Sequence, residues 1–528
     1  MGGVRPLRPI SFLLAAGLLI AQSCAPATVP ARRDVVIGLV GEPASVLADD
    51  PNARIIAGAV TEQLVRRDAH DDFVARLARQ VPTVENGGLL VATDDPAAPA
   101  GRLIATFDLR PNLIWQDGAP LTAADVRFAW ETDRTAPLGT DARWQADRVE
   151  RVEVIDDTTV RFVYKANEHW DAYPLAAHVL PFHRLANATA AQRAQYDREP
   201  VHAGPFAVAA WLPGIGITLS AFKGYALGPP ALGRLEIHFF VDRSALLDAL
   251  RRGDVDMVPA PGLEADLAGT LDRFADGTKL QTFYKQSESI EVLRYGPRFA
   301  DPILRQAVEL AVDRRKLTAS LFEGRAVVPR TFLVPPGWAA ADVGAIPALD
   351  RRRAIALLAA AGYRHGTFGI LERGTDRFTV TILAAAGSVA RVQAASLVAG
   401  DLATIGIAAD VRVVAADAVR AAVASGAFDL AVQAEDVSDP QRAADRYRDM
   451  AGAWFDTLAL AASTGADRPE KRLLYGELAR TWAGARAALP LYQRLQVDVA
   501  PRGLTGVEPT SDGAPLTWNA RDWRFVMP

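Results

Sequence analysis

Between Val35 and Leu39, and again between Leu235 and Val241, apolar residues occupy every second position. That is the period of a strand with one buried face. The same alternation predicts strands over Arg102–Leu109, Val149–Ile155, Thr159–Tyr164, Gly216–Phe222, Phe378–Ala384 and Val411–Val414. Elsewhere the apolar spacing lengthens to that of a helix. Val126, Ala129 and Trp130 share one face of a helix that Thr122 can cap, with Asp125 at its third position. Asp301-Pro302 sets a cap before a proline at the first helical position and leads into Leu304, Val308 and Ala311. Asp350 opens a helix through Leu357 and Leu358 that Gly362 closes, and Ser244–Arg252 ends at Gly253 in the same way. Strands and helices interleave along the whole chain, which predicts an α/β fold with mixed sheets. No internal repeat interrupts the pattern.

Length then sets the scale. At roughly 150 residues per domain, 528 residues suggest about three domains or two large lobes. Half of the residues are apolar, enough for large cores and too many for a disordered chain. A formal net charge of −4 lacks the broad positive footprint of a nucleic-acid binder. The single cysteine, Cys24, excludes structural disulfides, zinc ribbons and cysteine-ligated clusters.

The first 24 residues read as an export signal. Arg5 and Arg8 supply the positive end, and the apolar run from Ile10 to Ile20 is too short to span a bilayer, for which a helix needs ~20 residues. The run ends in Ala21-Gln22-Ser23-Cys24, which resembles a bacterial lipobox; lipidation at Cys24 is the expectation, and an ordinary cleaved signal is the alternative. Ala25–Ala31, small and proline-punctuated, suits a tether. The body is expected outside the cytoplasm, in the periplasm or cell envelope.

Patterns for catalysis are thin. Ser220-Ala221-Phe222-Lys223 fits the S-x-x-K spacing of serine acyl-enzymes, which requires both residues on one helical turn. Here Ile217 and Leu219 alternate with polar neighbours, so the segment reads as strand and the spacing loses its chemistry. The seven histidines show no metal-ligand spacing, and no phosphate-binding, nucleophile-elbow or calcium loop occurs. The expectation is a protein that binds rather than an enzyme, with neither cofactor nor metal.

Several blocks, in order, resemble the family 5 extracellular solute-binding proteins of peptide and nickel ABC importers. Leu113–Val126 is similar to the family's W-x-D-G-x-P-x-T-A-x-D-V pattern. Physically this is a strand end, an Asp-Gly turn and a capped helix, so its expected role is architectural. Gly41-Glu42-Pro43, Leu180-Pro181-Phe182-His183, Gly204-Pro205-Phe206, Gly253-Asp254-Val255-Asp256, Leu304–Val308 with Ala311–Arg314, and Leu402–Ile407 match further blocks. The resemblance implies a two-lobe periplasmic-binding-protein-like (type II) fold with a hinged cleft and a small domain inserted in the first lobe. Lobe I is expected at residues 25–59, 200–284 and 486–528, the inserted domain at 60–199, and lobe II at 285–485. The hinges would lie near 284 and 485.

The resemblance also implies a site. A cleft aspartate pairs with the α-ammonium of the ligand in peptide-binding members, and the matching segment here is Phe428–Pro440. Asp436 lies four residues before Pro440, the family offset, and takes that role; Glu435 and Asp439 are acidic alternatives, and a turn aspartate is the structural one. The backbone of Val432–Glu435, with Gln433, Ala434 and Glu435 in the site, would pair with a ligand strand, Gln433 standing where the family often has an aromatic residue. Trp338, Trp454 and Trp482 are open between cleft and core. The implied function is a monomeric receptor that captures a small solute, an oligopeptide first, and hands it to an ABC permease and its ATPase. A binding module for sensing or chaperoning is a second class, and a serine hydrolase using Ser220 and Lys223 a remote third.

Overall fold

The computed structural model describes residues 34–93, 101–135, 140–168, 170–448, 450–464 and 468–526, with residues 2 and 96. The export signal, Cys24 and the tether lie outside the described residues. Three principal sheets organise the rest. In the first, Asp34–Val40 pairs parallel with Arg234–Phe240, which continues antiparallel to Gly216–Ala221 and Phe206–Leu212. The alternation read at Val35, Ile37 and Leu39 becomes a fully buried stripe. It packs with Ile55 and Ile56 of the helix Pro51–Val60 and with Leu516, Ala520 and Trp523 near the C-terminus. Ser220 lies within the strand Gly216–Ala221 and Lys223 in the exposed turn after it, so they share no helical turn.

The second sheet is antiparallel throughout, in the order Leu89–Ala92, Arg102–Asp108, Thr159–Tyr164, Val149–Asp156. Its core gathers residues from Leu64 to Ala203, including Trp115, Val126 and Trp170. The Leu113–Val126 block frames this core. Trp115 is fully buried, Gly118 takes φ +86° in the turn, and Asp125 accepts the amides of Thr122 and Phe182 at 2.8 and 2.9 Å. Gln116 donates to the carbonyls of Phe206, Gly204 and Val60, tying the block to the first sheet. Gly204 is forced by proximity: a Cβ there would sit 2.4 Å from the Val60 carbonyl.

The third sheet runs Ala408–Val414, Thr379–Ala385, Leu430–Asp436, Leu280–Tyr295, Ala488–Pro501. The first three strands are parallel, with helix Val389–Ala403 between two of them and helix Ala416–Ser425 between the next. Helices Ala453–Thr464 and Arg468–Ala485 form a hairpin over a separate aromatic core of Phe332, Tyr447 and Trp482. The capped starts expected at Asp301 and Asp350 are present, each carboxylate accepting an amide of the first turn at 2.8–2.9 Å.

Candidate ligand cleft

Two long strands run side by side past the first-sheet region into the third sheet. Leu280–Gln286 pairs antiparallel with Leu495–Pro501, and Ile290–Arg294 pairs with Ala488–Gln493, with the register broken between Gln286 and Ile290. At the break the Ser287 hydroxyl donates to the Arg494 carbonyl (2.9 Å), and the Gln493 amide donates to the Ser287 carbonyl (2.9 Å). Below the break Val499 exchanges backbone bonds with Val258; above it Ser289–Tyr295 pairs with Leu430–Asp436. Leu280–Tyr295 contains the position near 284, and Ala488–Pro501 follows the position near 485, at which the sequence suggested hinges.

A cavity of about 340 Å³ lies over these strands, lined by Pro51, Arg54, Ser287, Ser388, Tyr492 and the loop Pro509–Leu516, among others. Two further cavities of about 280 Å³ each border the same ground, and all three touch Arg54, Ala514 and Pro515. The third of them reaches Trp144 and Trp170 on one side and Asp436, Ser438, Asp439, Arg442 and Arg446 on the other. Helix Pro51–Val60 positions Arg54 in its first turn, where the Asp50 carboxylate caps the amides of Asn52 and Ala53.

Side chains also bridge this gap directly. The Trp170 indole donates to Asp439 (2.7 Å), Arg67 donates to the Ser438 carbonyl (3.2 Å), and Arg148 pairs with Asp445 (3.2 Å). Lys471 lies 3.4 Å from Asp171.

Charge at the floor is arranged against its own ionisation. Glu288 is 3% exposed and accepts the Ser511 hydroxyl at 3.1 Å. Burial pushes its carboxyl up to about 8, with the nearby Asp71 charge adding and Arg67 opposing. Asp498, also buried, is raised to about 6 by desolvation, which its hydrogen bond from the Ala260 amide only partly offsets. Among the described residues no group of three or more His, Cys, Asp or Glu side chains could hold a metal ion.

Of the residues expected at the site, Asp436 and its alternative Asp439 border one of these cavities. The Asp436 Oδ1 accepts the amide and hydroxyl of Ser438 at 2.9 and 2.7 Å, an Asx turn at the end of its strand. The side chain of Glu435 points elsewhere. It is 4% exposed and accepts from Arg294 (3.2 Å), Gln433 (3.1 Å) and Tyr447 (2.5 Å), so its acidity is consumed inside the lobe. The Gln433 amide serves that same network, and Ala434 sits opposite Glu291 in the sheet. On the other edge of this strand the pairing with Thr379–Ala385 reaches Val432, so that residue, expected to pair with ligand, is already taken up by the sheet, and the pairing stops short of Gln433–Asp436. Asp439 is committed to capping, accepting the Arg442 amide as well as Trp170. Trp482 is core, Trp338 packs edge-on to Tyr475, and Trp454 is exposed. Arg54, Trp144, Trp170 and Arg446 were not expected, because no motif marks them.

The family model of bacterial extracellular solute-binding proteins, family 5 Middle, matches residues 90–453. Over 388 residues the chain is 28% identical to Protein XP55 of Streptomyces lividans, covering 71% of this chain and 66% of that protein's length. The structure resembles the oligopeptide-binding protein AppA from Bacillus subtilis in complex with a nonapeptide, at TM-score 0.73 and 22% identity over 94% of this chain and 100% of that one. It also resembles NikZ from Campylobacter jejuni in complex with Ni(L-His), at TM-score 0.74 and 19% identity over 93% and 99%. The fold is the two-lobe type II arrangement of periplasmic binding proteins.

Proposed function

Because the chain belongs to family 5 of the bacterial extracellular solute-binding proteins, we propose that it is the substrate-binding receptor of an ABC importer. In this reading it captures a small extracytoplasmic solute between its lobes and delivers it to a permease powered by an ATPase. The observation that carries the reading is the run of adjoining cavities floored by the two long strands. Its walls come from opposite sides, Pro51–Arg54 and Pro509–Pro515 facing Asp436–Arg446. A ligand held there touches both walls only when they approach, so it binds the closed form better than the open one. Moving the balance from 1:99 to 99:1 takes ~5.5 kcal/mol of differential affinity.

The cargo of this reading is an oligopeptide. Charges of both signs line the cleft, as a zwitterionic chain requires, and AppA, a neighbour in fold, holds a nonapeptide. Asp436 is the anchor for the α-ammonium, through the carboxylate oxygen not used in its turn, and the main chain of Gln433–Glu435 supplies the free edge for the ligand backbone. The working division is lobe I at 25–59, 200–284 and 486–528, the inserted domain at 60–199, and lobe II at 285–485. The receptor works as a monomer outside the cytoplasm, held to the membrane by lipid on Cys24.

Native mass spectrometry against a library of short peptides identifies the cargo, and small-angle scattering with that peptide reads closure. Compaction on binding is expected, and Asp436→Asn is expected to weaken the free peptide by ten- to hundred-fold, about 1.5–3 kcal/mol, while leaving its N-acetylated form unchanged. Binding without compaction sinks the clamp, and an unchanged affinity for the free peptide removes Asp436 as the anchor.

A further inference from the structure

Glu288 sits at the break in register between the two long strands, and its main chain is held from two sides. Its amide donates to the Ser511 carbonyl (2.6 Å), and its carbonyl accepts the Val437 amide (2.8 Å). The carboxyl is enclosed in a similar way. One oxygen accepts the Ser511 hydroxyl at 3.1 Å, and the other lies so close to Gly337 that a Cβ there would be 2.7 Å from it. Ser511 belongs to the loop that leads to Leu516 in the first core, and Gly337 to the segment that packs Val334 and Ala339 into the aromatic core. The third neighbour is the turn between Val65–Arg67 and Phe73–Ala75, which brings Arg67 and Asp71 from the second core. Three cores therefore meet at one carboxyl.

Charges reach it from each of these elements. Burial is the largest influence against its ionisation, Asp71 from the turn and Asp512 from the loop add to it, and Arg67, paired with Asp71 at 2.8 Å, opposes them. Arg468 lies over the rings of Phe73 and Trp338 and acts on Asp71, while Asp439 acts on Arg67. Lys285, on the same strand as Glu288, donates to the Ala69 and Pro509 carbonyls. These neighbours stand on opposite walls. Arg67 and Asp512 border the cavities beside Arg54, whereas Ser438, next to Val437, borders them from the facing side with Asp436 and Asp439. Arg67 spans the two by donating to the Ser438 carbonyl. When the walls part, water reaches the carboxyl and its acidity returns toward that of an ordinary glutamate.

Resting on the importer reading above, we propose that Glu288 couples closure of the cleft to proton uptake, its carboxyl taking a proton from solvent as the walls meet and releasing it as they part. Because the closed form binds the extra proton, acid favours the cargo-retaining state, and that advantage is lost as pH rises. Each unit of pH between 6 and 8 changes the closed-to-open ratio by up to about tenfold.

Small-angle scattering on the unliganded protein, at fixed salt from about pH 5.5 to 9, reads the ratio of the two forms. The wild-type radius of gyration is expected to grow with pH, the closed-to-open ratio falling at least about tenfold between pH 6 and 8.5 while far-UV circular dichroism stays unchanged. Glu288→Gln keeps the shape of the carboxyl without its titration and is expected to flatten the curve. Asp71→Asn removes the neighbouring charge at a backbone angle (φ +67°) that asparagine tolerates, and is expected to move the curve to lower pH. A wild-type radius that does not change with pH overturns the coupling, as does a curve that either variant leaves in place. The series contains no cargo, so its result is independent of whether any library peptide binds, and it is peptide binding that decides the importer reading.

Discussion

Glu288 shows how much one side chain can hold in reserve. Its carboxyl is raised to about 8 from 4.5 by burial, so the native state binds this proton more tightly than the unfolded chain does. Its contribution to stability is then greatest below about pH 4.5, declines as pH rises toward 8, and levels off above. At 1.36 kcal/mol per unit the decline amounts to about 3–5 kcal/mol. Glu288→Gln removes the titration, so urea unfolding at pH 5 and pH 8 is expected to give midpoints that differ less for the variant than for the wild type. Asp498, raised to about 6, adds a decline of the same sign over a narrower range. The acids of the Phe428–Pro440 segment were legible as a group from the sequence, but their duties were not. Asp436 and Glu435 are adjacent, and strand alternation turns one toward the cleft and the other into a cage of Arg294, Gln433 and Tyr447. Arg294 lies 141 positions away, and nothing local announces it.

Whole elements were easier to read than single residues. The two-residue period at Val35–Leu39, Thr159–Tyr164 and Gly216–Phe222 became strands with ends within two residues of those expected. Their partners did not follow from the same signal, since Asp34–Val40 pairs with a strand some 200 residues away. Two long strands were not read as strands at all. Leu280–Tyr295 and Ala488–Pro501 serve two surroundings in succession, so neither shows one clean period along its length. Gly204 lies where the chain enters the first sheet from the second. A methyl group there would meet the Val60 carbonyl at 2.4 Å, and backbone on both sides has little room to give. Gly204→Ala is expected to destabilise by ~1–3 kcal/mol, read as a lower urea midpoint with an unchanged m-value.

At the scale of the whole molecule, the balance between open and closed forms is set partly by the protein's own side chains. Arg148 pairs with Asp445, and the Trp170 indole reaches Asp439, across a gap that a ligand would also bridge. Asp445 is about one-third exposed, so its pairing contributes ~1 kcal/mol after screening, several-fold in the ratio of the two forms. Asp445→Asn is therefore expected to raise the radius of gyration of the unliganded protein in low salt, and added salt should move the wild type the same way. A wild-type radius insensitive to both changes would show that packing alone holds the walls together.

The loop Pro509–Pro515 borders the cleft, and the turns after it pack Leu516, Ala520 and Trp523 against the first strand and the helix that bears Arg54. The Thr517 hydroxyl donates to the Ile55 carbonyl, joining residues 462 positions apart. The earliest and latest parts of the body thus complete the pocket together. Residues on either side of nearly the whole body must therefore come together before the cavity has both of its borders. Folding of the pocket is consequently a long-range event, which no fragment of the described residues lacking Pro509–Trp523 can complete.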